Sequence, residues 1–260
     1  MKMHKDLREY IIQLFGKGHR LDGRSPLDYR KPIELKVGII PTAEGSAQVK
    51  IGDTEVIAGV KMELGTPYPD TPDQGGIIIG AELLPLSNPD FEAGPPQIQS
   101  IELARLVDRG IRESEAIDVK ELCIEPGKKV WNIIVDICTI NDAGNLLDAS
   151  ALATIAAIMN TRFPKYENDV IDYKVKTDAK INVKEKPITV TIYKVGDFFF
   201  VNPDTDEEKV YDARLTVTTL SNDSLCSLQK GGNYPLTVED IDKMISIAIE
   251  KARELREYLK

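Results

Sequence analysis

A run of apolar, mostly β-branched or aromatic residues, Val130-Trp131-Asn132-Ile133-Ile134-Val135-Asp136-Ile137-Cys138-Thr139-Ile140, leads within a few residues into a segment dominated by small side chains. This pair restricts the fold more than any other stretch. Apolar residues at both odd and even positions predict a central strand covered on two sides. Asn141-Asp142-Ala143-Gly144-Asn145 breaks it, and Gly144 is free to adopt positive φ. A helix is expected from Asp148, a good N-cap residue, through the Ala- and Ser-rich segment ending near Thr161, with Leu152, Ile155 and Met159 as its larger side chains. Small residues allow close backbone approach, so this helix is expected deep in the core. A helix start after a Gly-bearing turn has the geometry of an anion site. Here Asp148 would repel an anion, and Leu146 and Leu147 add no donors.

The remaining segments fall around this pair. Residues 5–15 read as an amphipathic helix with Leu7, Tyr10, Ile11, Leu14 and Phe15 on one face and Gly16 at its C′ position. Arg20-Leu21-Asp22-Gly23-Arg24 reads as a surface turn with an Asp–Arg pair. Alternation predicts strands at 33–37, 45–52, 54–64 and 77–84, with a hairpin at Gly52-Asp53. The Pro-rich segments 65–76 and 85–96 are expected as exposed loops. Residues 98–116 form a two-faced helix, with Leu103, Leu106, Val107 and Ile111 inward. Arg105, Arg109 and Arg112 lie on the opposite stripe. Glu102, Asp108 and Glu113 stand within helical pairing distance of these arginines, so a solvated ion-paired face competes with a row of guanidinium forks aimed at phosphates.

Further strands are expected at 119–124, 174–183, 188–195, 197–201 and 210–219. Residues 202–209 are an acidic loop whose composition suits a turn more simply than a Mg²⁺ site. Phe198-Phe199-Phe200 suits core or interface. Gln229-Lys230-Gly231-Gly232-Asn233 is a Gly-rich loop without Walker spacing. The last helix starts at Thr237, with Asp240 completing a capping box. Its inward stripe is expected to comprise Ile241, Ile245, Ala248, Ile249, Ala252, Leu255 and Leu259, and Arg253, Arg256 and Lys260 complement its C-terminal dipole. The order of elements predicts an α+β fold of two sheet-plus-helix halves, mixed sheets packed against helices. The expected divisions are an N-terminal helix and arm (1–28), a first half (29–165) and a second half with the C-terminal helix (166–260).

Composition sets outer bounds. A net charge of −9 argues against a generally basic nucleic-acid binder, while leaving room for a local cationic patch. Cys123, Cys138 and Cys226 are an odd number, expected as buried thiols in a reducing compartment. The N-terminus lacks a signal-peptide core, and no apolar run approaches the roughly 20 residues needed to span a bilayer, so a cytoplasmic protein without membrane association is expected. The two histidines, His4 and His19, pair with no nucleophile, and neither a metal motif nor a cofactor motif is present.

The chain resembles the RNase PH family, enzymes that phosphorolyse RNA from its 3′ end. The resemblance rests on Arg20-Leu21-Asp22-Gly23-Arg24, Gly45-Ser46-Ala47, Gly52-Asp53-Thr54, Asn141-Asp142-Ala143-Gly144-Asn145 and Ala149-Ser150-Ala151. Within the family it is most similar to the non-catalytic subunit type of archaeal exosomes. Those motifs are Glu82-Leu83-Leu84-Pro85-Leu86, Ile101-Glu102-Leu103-Ala104-Arg105, Val107-Asp108-Arg109, Ile124-Glu125-Pro126-Gly127-Lys128 and Tyr211-Asp212-Ala213-Arg214-Leu215. Active members place an Arg pair before the first long helix, where this chain has Ile98 and Gln99. They place Gly-Ser-Arg or Gly-Thr-Arg at the phosphate loop, where it has Gly144-Asn145-Leu146. At the positions of their two catalytic aspartates it has Pro203 and Lys209, and a one-residue slip brings in Asp204.

The resemblance therefore implies no catalytic residue. It implies pairing with a catalytic RNase PH-type subunit in a hexameric ring of three heterodimers, RNA-binding cap subunits, and single-stranded RNA contacted by Arg105 and Arg109. Arg112 gains no such role and stays an ion-pair residue. The competing expectation is an active phosphorolytic 3′→5′ exoribonuclease using Asp204 or Asp206.

Overall fold

The computed structural model of the chain describes residues 2–259. Its first sheet has the order β1-β2-β3-β6-β4. These strands are β1 (Ile33–Val37), β2 (Gly45–Ile51), β3 (Thr54–Gly65), β4 (Gly76–Glu82) and β6 (Lys129–Asn141). All neighbours are antiparallel except β4, which runs parallel to β6. The connection between those two passes through α2 (Ile98–Glu113) and the short β5 (Cys123–Glu125), which pairs with the start of β6. The second sheet is wholly antiparallel, β10-β9-β11-β12. Its strands are β9 (Ile188–Val195), β10 (Phe198–Val201), β11 (Ala213–Thr219) and β12 (Leu225–Gly232). A separate ribbon joins β7 (Arg162–Glu167) to β8 (Val170–Lys180).

Helix α3 (Leu146–Asn160) packs against β2 and β3 on one side and β9 on the other, so the two sheets share one apolar core. Its composition permits this position. Ala149, Ala153 and Ala157 are fully buried, and a Cβ on Gly45 of β2 would lie 2.4 Å from the Ala157 carbonyl. Only a strand with glycine at that point can approach so small-faced a helix. Helix α4 (Val238–Arg256) covers β9 and β11, and its Thr237–Asp240 capping box forms as expected. Helix α1 (Lys2–Gly16) inserts Ile11 and Phe15 into a smaller cluster with Tyr193, Val195 and Phe200.

Several expectations need correction. Strand β6 is fully buried on one face only: Ile133, Val135, Ile137 and Thr139 are inside, whereas Ile134, Cys138 and Ile140 are half-buried and Asp136 is exposed. Helix α3 starts at Leu146, with Asn145 in the left-handed region (φ 61°) as the residue before it, so Asp148 lies within the first turn. Residues 119–122 form a 3-10 turn, and the strand is only Cys123–Glu125. Helix α4 turns Met244, Ile247 and Ala248 inward, rotating the buried stripe away from Ile241, Ile245 and Ile249, which are half-buried. Tyr10 is exposed rather than inward. The helix α1 runs through Gly16, and Gly18 takes the positive φ. The three cysteines are free and half-buried. Lys260 lies outside the described residues.

Candidate functional site

A cavity of about 520 Å³ opens where the start of α2, the β6–α3 turn and residues 205–209 meet. Gln99, Leu146 and Lys209 all line it. These are three of the positions that the family resemblance matches to ligands and carboxylates of active members, and the fold brings them together from points far apart in the chain. Ile98 instead points outward and is 83% exposed. Pro203 is buried, and its carbonyl lies 2.5 Å from where a Cβ on Gly144 would stand. Gly144 has φ 93°, so both its conformation and its space require glycine.

The turn before α3 has the form of an anion cradle, but its amides are already engaged. Ala143 N–H donates to Thr54 Oγ1 (3.2 Å), Gly144 N–H to Asp142 Oδ1 (2.9 Å) and Asn145 N–H to Glu208 Oε1 (2.8 Å). From the carbonyl side, Arg30 donates to Ala143 O and, at 2.8 Å, to Gly144 O. The Asp148 carboxylate is buried and accepts from Thr191 N–H (2.8 Å), Asn145 Nδ2 (3.0 Å) and the Tyr29 hydroxyl (3.0 Å). It therefore ties α3 to β9 and to the N-terminal arm instead of capping its own helix.

Burial pushes Asp148 up to about 6, against the hydrogen bonds it accepts. Burial pushes Glu208 up to about 7, assisted by the nearby charge of Asp142 and opposed by Asn145 N–H, Arg214 and Arg30. A phosphate approaching residues 143–145 would find their amides already bonded to Thr54, Asp142 and Glu208.

The carboxyl of Glu208 has a testable consequence. Its folded value lies above the ordinary glutamate value, so between about pH 4.5 and 7 the folded chain binds more protons than the unfolded one. Stability should therefore fall as pH rises through that window, by on the order of 3 kcal/mol from this group. Asp148 acts in the same direction. Glu208→Gln should be more stable than the parent at pH 8, with a smaller difference at pH 5. Denaturant midpoints at the two pH values check this, and parallel pH profiles would contradict it.

The acidic loop contributes nothing to the cavity through its aspartates. Asp204 Oδ1 accepts the N–H groups of Asp206 and Glu207, and Asp206 pairs with Lys209 (2.9 Å). Among the described residues, no group of three or more His, Cys, Asp or Glu is placed to hold a metal ion.

Beside the cavity, the outer stripe of α2 separates into paired and unpaired arginines. Arg112 donates to Asp108 (Nη2–Oδ1 2.8 Å) and to Ile77 O (2.9 Å), the ion-pair role expected of it. Glu102 is engaged by Arg214 of β11. Arg105 and Arg109 are exposed and have no hydrogen-bond or ion-pair partner among the described residues. Helical spacing alone overlooked Arg214 and Glu208, because both reach the site from the second half of the chain. The sequence signal for each was its place within the Tyr211–Leu215 motif and the 202–209 acidic loop respectively.

Two sheets enclosing a small-faced helix, with a phosphate-loop-like turn at its start and an arginine-bearing helix beside it, define an RNase PH-type fold. The chain belongs to the 3′ exoribonuclease (RNase PH) family: domain 1 of the family matches residues 30–164 and domain 2 matches residues 186–251. The exosome complex component Rrp42 of Archaeoglobus fulgidus is 49% identical over 253 residues, which is 97% of this chain and 95% of that protein. The Rrp42 component of Thermococcus kodakarensis is 45% identical over 254 residues, 96% and 93% of the two chains. A chain from the solved Archaeoglobus fulgidus exosome with RNA bound to the active site superposes with a TM-score of 0.92 at 47% identity, covering 100% of both chains.

Proposed function

We propose that the chain is the non-catalytic RNase PH-type subunit of an archaeal exosome, a cytoplasmic 3′→5′ phosphorolytic exoribonuclease complex. It pairs with a catalytic RNase PH-type subunit, and three such pairs close a hexameric ring that carries RNA-binding cap subunits. The observation that carries this reading is the cavity, which presents Gln99, Leu146 and Lys209, with the three turn amides beside it taken by the chain's own acceptors. No helix among the described residues is long and apolar enough to cross a membrane. Arg105 and Arg109, free of internal partners, contact phosphates of single-stranded RNA that threads towards the partner's active site.

The surface available for pairing supports the same reading. Among the described residues, the outer edges of β4 and β12 have no neighbouring strand, and α2 packs against both strands. Leu86, Ile98 and Ile101 are exposed beside them. Such edges and apolar side chains need covering. The competing reading, chemistry by Asp204 or Asp206, is disfavoured because neither lines the cavity and both are engaged locally.

Mixed with a catalytic RNase PH-type subunit, the chain should form a single species with the mass of six chains by light scattering. Two components that elute separately, each at its own mass, would overturn the assembly.

A further inference from the structure

Helical geometry offers Arg105 two carboxylates on its own helix, Glu102 three residues before it and Asp108 three residues after it. Both are paired with other arginines instead. Glu102 accepts from Arg214 Nη2, and Arg214 also donates to the Tyr211 hydroxyl (3.3 Å). Asp108 receives two hydrogen bonds from Arg112, at 3.2 Å to Nε and 2.8 Å to Nη2, while the same Nη2 is anchored on Ile77 O of β4.

The position of Arg214 is itself built by the sheet. Its side chain is only 14% exposed and lines the cavity beside α2, apart from the exposed stripe of Arg105 and Arg109. Its cross-strand neighbour in β12 is Gly231, where a Cβ would lie 2.6 Å from Arg214 Nε. The glycine leaves the width of the strand for the guanidinium to reach α2. Thus one arginine from β11 and one from the end of α2 consume the carboxylates that would otherwise neutralise Arg105.

We propose that Arg214 is a positioning residue for RNA binding: by holding Glu102 it keeps Arg105 uncompensated and available to an RNA phosphate, and Arg112 does the same through Asp108. This rests on the RNA-contact role given above to Arg105. Arg214 itself makes no RNA contact. Releasing Glu102 lets it pair with Arg105, and an RNA phosphate must then displace a carboxylate to bind.

The test uses the assembled complex, its mass checked by light scattering, with single-stranded RNA titrated across a salt series. Arg214→Met should weaken RNA binding by about two- to fivefold, the range of an exposed helical ion pair, and should flatten the salt dependence by up to about one phosphate's worth. Glu102→Gln alone should not weaken binding. The double variant Arg214→Met/Glu102→Gln should return to the affinity of Glu102→Gln, and Arg214→Lys should stay close to the parent. In an Arg105→Ala background, Arg214→Met should have no effect. Arg112→Met, rescued by Asp108→Asn, tests the same sorting from the exposed side of α2 and serves if Arg214→Met does not assemble.

Weakening by Arg214→Met that Glu102→Gln does not rescue, or that persists without Arg105, would overturn the proposal. So would unchanged binding in both Arg214→Met and Arg112→Met. If Arg105→Ala itself leaves affinity and salt slope untouched, the RNA-contact role fails; if it weakens binding and the rescues fail, only the positioning role does.

Discussion

Replacing Arg105 and Arg109 together with Glu is expected to lower the affinity of the assembled complex for single-stranded RNA by roughly a hundredfold or more, since each of the two charge-assisted hydrogen bonds is worth about 1.5 kcal/mol or more. The two side chains are one helical turn apart, exposed and without a partner among the described residues, so the charge reversal removes the two proposed phosphate contacts without disturbing an internal ion pair. Leu103, Leu106, Val107 and Ile111 remain buried on the opposite face, so folding and ring assembly should survive. With a net charge of −9, the remainder of the surface offers RNA little general attraction, and binding depends on such focused cations. Each contact also releases counterions, so the parent complex should weaken more steeply with salt than the variant. Fluorescence anisotropy of a labelled RNA over a salt series measures both quantities. Equal affinities and equal slopes would leave these arginines without an RNA role.

A loss of stability of about 3–5 kcal/mol is expected for Arg20→Ala, the cost of leaving a buried charge without its partner. Arg20 and Glu207 have fully buried side chains and form a forked ion pair, with Nε at 2.9 Å from Oε1. The guanidinium further donates to Val201 O (2.6 Å) and Asn202 O (3.0 Å) and lies 5.4 Å from the Phe200 ring centroid. It thereby fastens the arm after α1 to the loop that follows β10. Removing Arg20 takes the counter-charge from a buried carboxylate that keeps only the Asp204 N–H (2.9 Å), and takes the shortest side-chain donor from Val201 O and Asn202 O. Chemical denaturation of the variant reads the loss directly. Replacing Arg20 and Glu207 together with Met should cost less than Arg20→Ala, because no buried charge is then left alone. A loss under about 1 kcal/mol for Arg20→Ala would show that water reaches the pair, contrary to its burial.

These two predictions also mark where sequence reasoning stopped. Arg20 read as part of a surface turn because its partner is 187 residues away and no local period reports it. The local Asp22–Arg24 pair, by contrast, was legible and forms. Likewise, spacing on α2 offered Glu102 and Asp108 to Arg105, and a long-range partner, Arg214, settled the choice for Glu102. Strands with regularly spaced apolar residues were readable: the expected 33–37 and 188–195 coincide with β1 and β9, although β9 is buried on both faces and Val37 of β1 is exposed.

Two strands were not read, for different reasons. β12 is a half-exposed edge ending in Gly231-Gly232, so it carries loop composition, and its pairing with β11 supplies the order. β7 is polar and interrupted by Pro164, and the ribbon it forms with β8 is irregular in register. The start of α3 was displaced because Asp148 has the chemistry of an N-cap, whereas Asn145 takes the position with a left-handed backbone that asparagine tolerates. Asp148 is needed elsewhere, as acceptor for Tyr29 and Thr191.

The proposed absence of catalysis by this chain gives the account its most direct test. The purified chain, incubated alone with single-stranded RNA and inorganic phosphate, should release no nucleoside diphosphate, and the same chain assembled with a catalytic RNase PH-type subunit should release it. Pro203→Asp/Lys209→Asp should remain inactive on its own, because the turn amides still bind Thr54, Asp142 and Glu208 and no phosphate site is restored. Phosphate-dependent release of nucleoside diphosphates by the isolated parent chain, abolished by Asp204→Asn or Asp206→Asn, would contradict the account and make this subunit an enzyme in its own right.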